Sequence, residues 1–163
     1  MPRRKEPEMP PPVYLTPEAI ERLRERLVRL KRDLPAAAAE AKSTAEYGDR
    51  SDNAAYKEAK GILRRLKGQI IRIEAQLKYS VVIEKGANPD GTIRLGSTVT
   101  LEQRGGGARR TFEIVGPFET DPARARISHE SPLGAALIGK KSGDTILVKT
   151  PDGNQEYKIL AVK

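Results

Sequence analysis

The sequence has no cysteine and no tryptophan, a single histidine, and only 4 % aromatic residues. Without cysteine there is no disulfide framework, no thiolate metal site, no iron–sulfur cluster and no thiol nucleophile. One imidazole, His129, is too few for most hydrolytic metal sites or nucleophile relays. Long apolar runs are missing as well, since nothing approaches the ~20 residues that span a bilayer. The opening Met1-Pro2-Arg3-Arg4-Lys5 leads into no apolar stretch and does not read as a secretory signal. The apolar share, 37 %, lies below the roughly 45–50 % of average globular chains. What the chain does have is charge: 30 Lys+Arg against 22 Asp+Glu in 163 residues, a formal +8. This describes a basic, cofactor-poor intracellular protein with much solvated surface rather than a compact enzyme.

Composition changes near residue 80. Residues 1–13, with five prolines before Val13, read as a disordered or extended leader. Thr16 then suits a helix N-cap, Pro17 the first helical position, and Glu18 the positive end of the dipole. From there Ile20, Leu23, Leu27, Leu30, Leu34, Ala37, Ala41 and Thr44 recur in steps of three and four, a heptad seam. Pro35 interrupts that seam and should bend the rod. A second seam follows: Tyr56, Ala59, Leu63, Leu66, Ile70, Ile73 and Leu77. The segment between them, 47–53, is a natural turn. Two heptad segments joined so briefly must lie antiparallel. About 30 residues per arm, at ~1.5 Å each, make a rod about 45 Å long. Residues 14–79 are therefore expected to form a coiled-coil hairpin, thin and charged at its far end.

Residues 80–163 are expected to form a small antiparallel-sheet domain, making the whole chain α+β. Candidate strands cover 80–84, 92–102, 109–115, 125–128, 145–149 and 155–162, with turns at Gly105-Gly106-Gly107 and Pro151-Asp152-Gly153-Asn154. One short helix, about Pro132 to Ile138, is stopped by Gly139.

The turn holds the strongest chemical candidates. Asp49 and Asp52 are three apart, with Gly48 before them and Asn53 opening the second helix. One reading is plain turn and capping chemistry, for which Asp, Asn, Ser and Gly are all suited, with Asp52 or Ser51 capping the second helix. The other is a half-site for a hard cation such as Mg²⁺, which binds through one or two carboxylates and keeps several waters. Two carboxylates cannot close a site alone, so the remaining ligands would come from another molecule. The basic residues of the second arm, Lys57, Lys60, Arg64, Arg65, Lys67 and Arg72, form either a solvated flank or a track for a nucleic-acid backbone. Gly134 to Lys141 approaches a phosphate-binding loop but has Lys141 where Ser or Thr is needed, and is rejected. His129 reads as a packing or surface histidine.

These segments resemble the Gre family of bacterial transcript-cleavage factors, from Tyr14 to Val162. Tyr47-Gly48-Asp49-Arg50-Ser51-Asp52-Asn53-Ala54-Ala55-Tyr56 is similar to the family's tip motif, closer to the GreB version. Ile127-Ser128-His129-Glu130-Ser131-Pro132-Leu133-Gly134, Leu137-Ile138-Gly139-Lys140, Gly143-Asp144 and Thr150-Pro151-Asp152-Gly153 match the C-terminal signature. The resemblance implies an FKBP-like C-terminal domain that docks on bacterial RNA polymerase, with Ser131, Pro132 and Gly139 as docking candidates. It implies a coiled coil that enters the secondary channel, and tip acids Asp49 and Asp52 that help hold the second Mg²⁺ of the polymerase active site. The polymerase then cleaves its own backtracked transcript. The factor is not itself an enzyme and binds no cofactor stably.

By the same resemblance Asn53, Tyr56, Arg50 and Ser51 support the tip, and Arg64 and Arg65 contact the extruded RNA 3′ end. The protein is expected to be a cytoplasmic monomer without membrane contact. Two departures stand out. Asp52 occupies a position where the family usually has Glu, with about 1.5 Å less reach. Ala55 replaces a common acid. Both admit an alternative: a Gre-like paralogue that occupies the channel and inhibits transcription without promoting cleavage. From another class, a prolyl isomerase would need an aromatic-lined pocket, and this half offers only Phe112, Phe118 and Tyr157.

Overall fold

The computed structural model describes residues 10–46, 53–151 and 153–163. Residues 1–9 of the expected leader lie outside that set. The chain divides into two units, Ile20–Tyr79 and residues 10–19 with Ser80–Lys163.

Heptad spacing dictates the first unit. Helix α1 (Pro17–Glu46) runs unbroken through Pro35, whose ring is exposed. All eight seam positions from Ile20 to Thr44 are buried or half-buried, while every other residue between Glu21 and Ser43 is exposed. Helix α2 (Ala54–Lys78) repeats the pattern: its seven seam positions are covered, and Ala59, Ile70 and Ile73 are fully buried. Polar contacts flank the seam. Arg26 Nη2 donates to Gln69 Oε1 at 3.1 Å, and Lys31 Nζ lies 2.7 Å from Glu74 Oε1.

Asn53 closes the far end of the helix pair. Its Oδ1 accepts from Tyr56 N at 2.9 Å, satisfying a free donor of the α2 N-terminus. Its Nδ2 donates to Thr44 O at 2.8 Å, tying the last turn of α1 to the first of α2.

The second unit contains two sheets. Strand β1 (Val13–Leu15) pairs in parallel with β2 (Ser80–Val82). A five-stranded sheet has the order β5-β4-β3-β7-β6, built from β3 (Thr98–Gln103), β4 (Arg109–Val115), β5 (Arg126–Ser128), β6 (Thr145–Thr150) and β7 (Gly153–Val162). It is antiparallel except at its β4·β5 edge. Helix α3 (Pro132–Leu137) covers one face, and Leu137 joins Ile93, Val99, Leu101, Ile114, Ile146, Val148 and Ile159 in the core. Full burial of one such side chain contributes about 1.5–3 kcal/mol.

Four details differ from the expected strands. The strand expected over 92–102 begins only at Thr98, because Gly96 has φ +90° and turns the chain. There a Cβ would sit 2.1 Å from Glu84 O. Strand β1 was expected as the leader's end and the hairpin's first residues. Two strand pairs are parallel rather than antiparallel. The chain between β4 and β5 makes two 3₁₀ turns, Pro117–Glu119 and Pro122–Arg124, ending at Ala125 with φ 53°.

Gly134 sits where backbones press together, and a Cβ there would lie 2.1 Å from Ser128 O. Gly134→Ala should therefore cost about 1–3 kcal/mol of unfolding free energy in urea titrations; wild-type stability would refute the contact. Asn53→Ala should destabilise by about 1 kcal/mol. Asn53→Asp keeps the acceptor for Tyr56 N but has no donor for Thr44 O, so it should recover only part of the loss. An Asp variant as weak as the Ala variant would count against the cap.

Candidate functional site

The sequence places its candidate residues in two regions, and each is built differently. In the helical unit, Asn53 fixes the junction with the segment that carries the acids. Asp49, Arg50, Ser51 and Asp52 themselves fall at residues 47–52, outside the described residues. What is described is the frame: α1 ends at Glu46, α2 begins at Ala54, and the Asn53–Thr44 hydrogen bond brings these ends together. Tyr56 occupies a half-buried seam position, and Lys60 Nζ lies 5.5 Å from its ring centroid. That contact adds a cation–π attraction to the first turn of α2.

Arg64 and Arg65 are exposed on α2, as are Lys57, Lys60, Lys67 and Arg72. None of the six forms an ion pair among the described residues; the acid Glu74 of the same helix is taken by Lys31. These side chains make the outward side of α2 strongly positive.

In the sheet unit, Ser131 is the N-cap of α3. Its Oγ accepts from Gly134 N at 3.1 Å and donates to Ser128 O at 2.6 Å. Pro132 fills the first helical position and is exposed; Gly139, just past the helix, has φ +78° and is also exposed. These three residues thus bracket one short helix. His129 packs edge-on against Tyr14, with ring centroids 5.7 Å apart, and its Nε2 is 3.9 Å from Glu130 Oε1. It behaves as the packing histidine that its sequence context suggests.

The aromatic residues are not gathered into one pocket. Phe112 and Tyr157 line a cleft of about 250 Å³ together with Leu101, Arg110 and Gln155, whereas Phe118 is 63 % exposed elsewhere. Arg110 and the Tyr157–Gln155 hydrogen bond make that cleft half polar.

Sequence reasoning missed Glu119. It is a buried acid on the first 3₁₀ turn, bonded to Thr16 and to Arg126. One signal was present in the sequence: Thr16 begins a helix whose third position, Ala19, lacks the acid that often completes such a start.

Two family models cover most of the chain. One, described as "Transcription elongation factor, N-terminal", matches residues 13–82; the other, "Transcription elongation factor, GreA/GreB, C-term", matches residues 88–163. Transcription elongation factor GreA of Streptococcus sanguinis is 36 % identical over 150 residues, spanning 91 % of this chain and 94 % of that protein. The GreA of Clostridium acetobutylicum is 44 % identical over 117 residues, 72 % of this chain and 74 % of its own. Among solved structures, GreA factor homolog 1 of Thermus thermophilus is 32 % identical, covering 94 % of this chain and 99 % of its own, with a TM-score of 0.43. With both halves matched in order, and a relative this similar over nearly its full length, the chain belongs to the GreA/GreB family of transcription elongation factors.

Proposed function

We propose that this elongation factor binds bacterial RNA polymerase in the cytoplasm as a monomer, inserts its helix pair into the secondary channel, and stimulates cleavage of backtracked RNA. The observation that carries this reading is the closed end of the helix pair. Asn53 joins α1 to α2 at the point where the segment containing Asp49 and Asp52 departs and returns. Two carboxylates on a short connection are oxygen donors of the kind Mg²⁺ takes. When bound in the polymerase's active site, that ion activates water and stabilises the charge of a phosphodiester transition state.

The chain's own residues position rather than react. Asp49 and Asp52 offer ligand oxygens and acceptors that orient the attacking water. Arg50, Ser51, Asn53 and Tyr56 support the turn that presents them. Arg64 and Arg65 face the extruded RNA, where guanidinium groups without an ion pair among the described residues suit a phosphate backbone. Ser131, Pro132 and Gly139, around α3, belong to the polymerase-docking face. No part of the reaction needs a group that this chain binds permanently.

A second reading has its own observation. Asp52 is shorter than the Glu usual at its place, and Ala55 carries no acid. A factor with a weakened tip would occupy the channel and slow nucleotide addition without releasing RNA fragments.

A cleavage assay on halted, backtracked polymerase separates the two readings. Wild-type protein should release short 3′ fragments. Asp49→Asn should return cleavage to the level of polymerase alone while binding stays within about twofold. Asp52→Glu, with its longer reach, should match or exceed wild type. Full cleavage by Asp49→Asn would remove the metal role; slowed elongation with no fragment from wild type would establish the inhibitor.

A further inference from the structure

Helix N-termini often complete themselves locally. A Ser or Thr at the N-cap accepts from the third helical N–H, and a Glu or Gln at that third position accepts from the N-cap N–H. Helix α1 makes the first half of this arrangement, since Ala19 N donates to Thr16 Oγ1 at 3.3 Å. The second half has no local acid, because Ala19 itself holds the third position and is 5 % exposed. A carboxylate from 103 residues along the chain takes its place. Glu119 Oε2 accepts from Thr16 N at 2.6 Å, and Glu119 Oε1 accepts from Thr16 Oγ1 at 2.6 Å.

The surroundings hold that carboxylate in position. Its side chain is 3 % exposed, and Arg126 Nη2 donates to Oε1 at 3.1 Å, so the buried charge is paired. Arg126 is fixed in turn through Nε to Glu113 Oε2 at 3.1 Å. The 3₁₀ turn that carries Glu119 lies hard against β1: a Cβ on Gly116 would sit 2.2 Å from Tyr14 O. Charge-assisted hydrogen bonds in such a buried site are the strong kind. By contrast, the tie between Lys85 Nζ and Glu18 Oε1, 2.5 Å long on the same helical turn, is exposed on both sides. It holds the Glu18 carboxyl below its ordinary range and the Lys85 ammonium above. Its contribution is therefore lost in acid as Glu18 protonates and in strong base as Lys85 deprotonates, and is small throughout.

From this geometry we infer that Glu119 is a positioning residue: it caps the start of α1, whose residues up to Ala19 lie in the same unit as Glu119, and so secures the root of the helix that the proposed function sends into the polymerase. The functional half of this inference rests on that proposed function; the cap itself does not. Thr16 is required as donor and acceptor at once, which Ser can imitate and Val cannot.

Amide exchange on the full-length protein tests the cap. Thr16→Val and Glu119→Gln should each speed exchange in the first turn of α1 by about tenfold. Thr16→Ser and the control Lys85→Met should stay within about twofold. The double variant Thr16→Val/Glu119→Gln should be no worse than the worse single one, because both remove one network. In backtracked polymerase complexes, Thr16→Val and Glu119→Gln should lower the cleavage rate at saturation about fivefold or more while leaving the half-saturating concentration within about twofold. Thr16→Ser should restore the rate. Unchanged exchange in Glu119→Gln overturns the inference, as does equal acceleration at Val99 and Leu101, which would make the carboxylate an ordinary core element. Faster exchange with an undiminished saturating rate overturns the positioning role. If wild-type protein stimulates no cleavage, the proposed function falls and the exchange comparison alone decides the cap.

Discussion

Two helices that have only each other to pack against must find their hydrophobic burial in a single seam. That constraint shapes the Ile20–Tyr79 unit. Steps of three and four keep Ile20 through Thr44, and Tyr56 through Leu77, on the covered stripe, and leave the rest of each helix to charge. Most seam side chains are only half-buried, as expected where a seam is shared by two helices. Toward residues 47–52 the α1 seam shrinks from Leu30 and Leu34 to Ala37, Ala41 and Thr44. Apolar area falls there, and the final link, Asn53 to Thr44, is polar. That end of the unit therefore relies less on apolar burial and more on hydrogen bonding.

The same geometry explains the charge distribution. Outward positions of α2 carry Lys57, Lys60, Arg64, Arg65, Lys67 and Arg72, none in an ion pair among the described residues. On the proposed reading a pair of carboxylates rides on a positive support, which lets the approach to a polyanion remain favourable while the acids meet a cation. The sheet unit differs in that several of its exposed charges are paired, among them Arg104 with Glu156 and Arg109 with Glu102.

Local signals were legible in the sequence, and distant ones were not. The seams could be read because periodicity is a property of neighbouring residues, and α3 because Ser131, Pro132 and Gly139 mark both its ends. A cap at the start of α2 could be read for the same reason, although the expected capping residue was Ser51 or Asp52 and the structure uses Asn53. Strand β1 was hidden because three residues, Val13-Tyr14-Leu15, show no alternation, and its partner lies at Ser80–Val82. The strand before Thr98 was overextended because Thr92, Ile93 and Leu95 run on toward the Thr98-Val99 start of the strand, while the close approach of Glu84 to Gly96 depends on the fold. The missing acid at Ala19 hinted that a partner was needed but could not point to Glu119, because a buried acid and a surface acid look alike until Thr16 and Arg126 are beside it.

The split cap also limits how far the parts of this protein can be exchanged. Residues 13–82 grafted from one relative onto residues 88–163 of another would arrive with Thr16 but without the carboxylate that completes it, unless the host carried an acid at the place of Glu119. The two halves look modular in sequence, since separate family models match them. Yet residues 16 and 119, matched by different models, form one joint inside the sheet unit and would have to be inherited together.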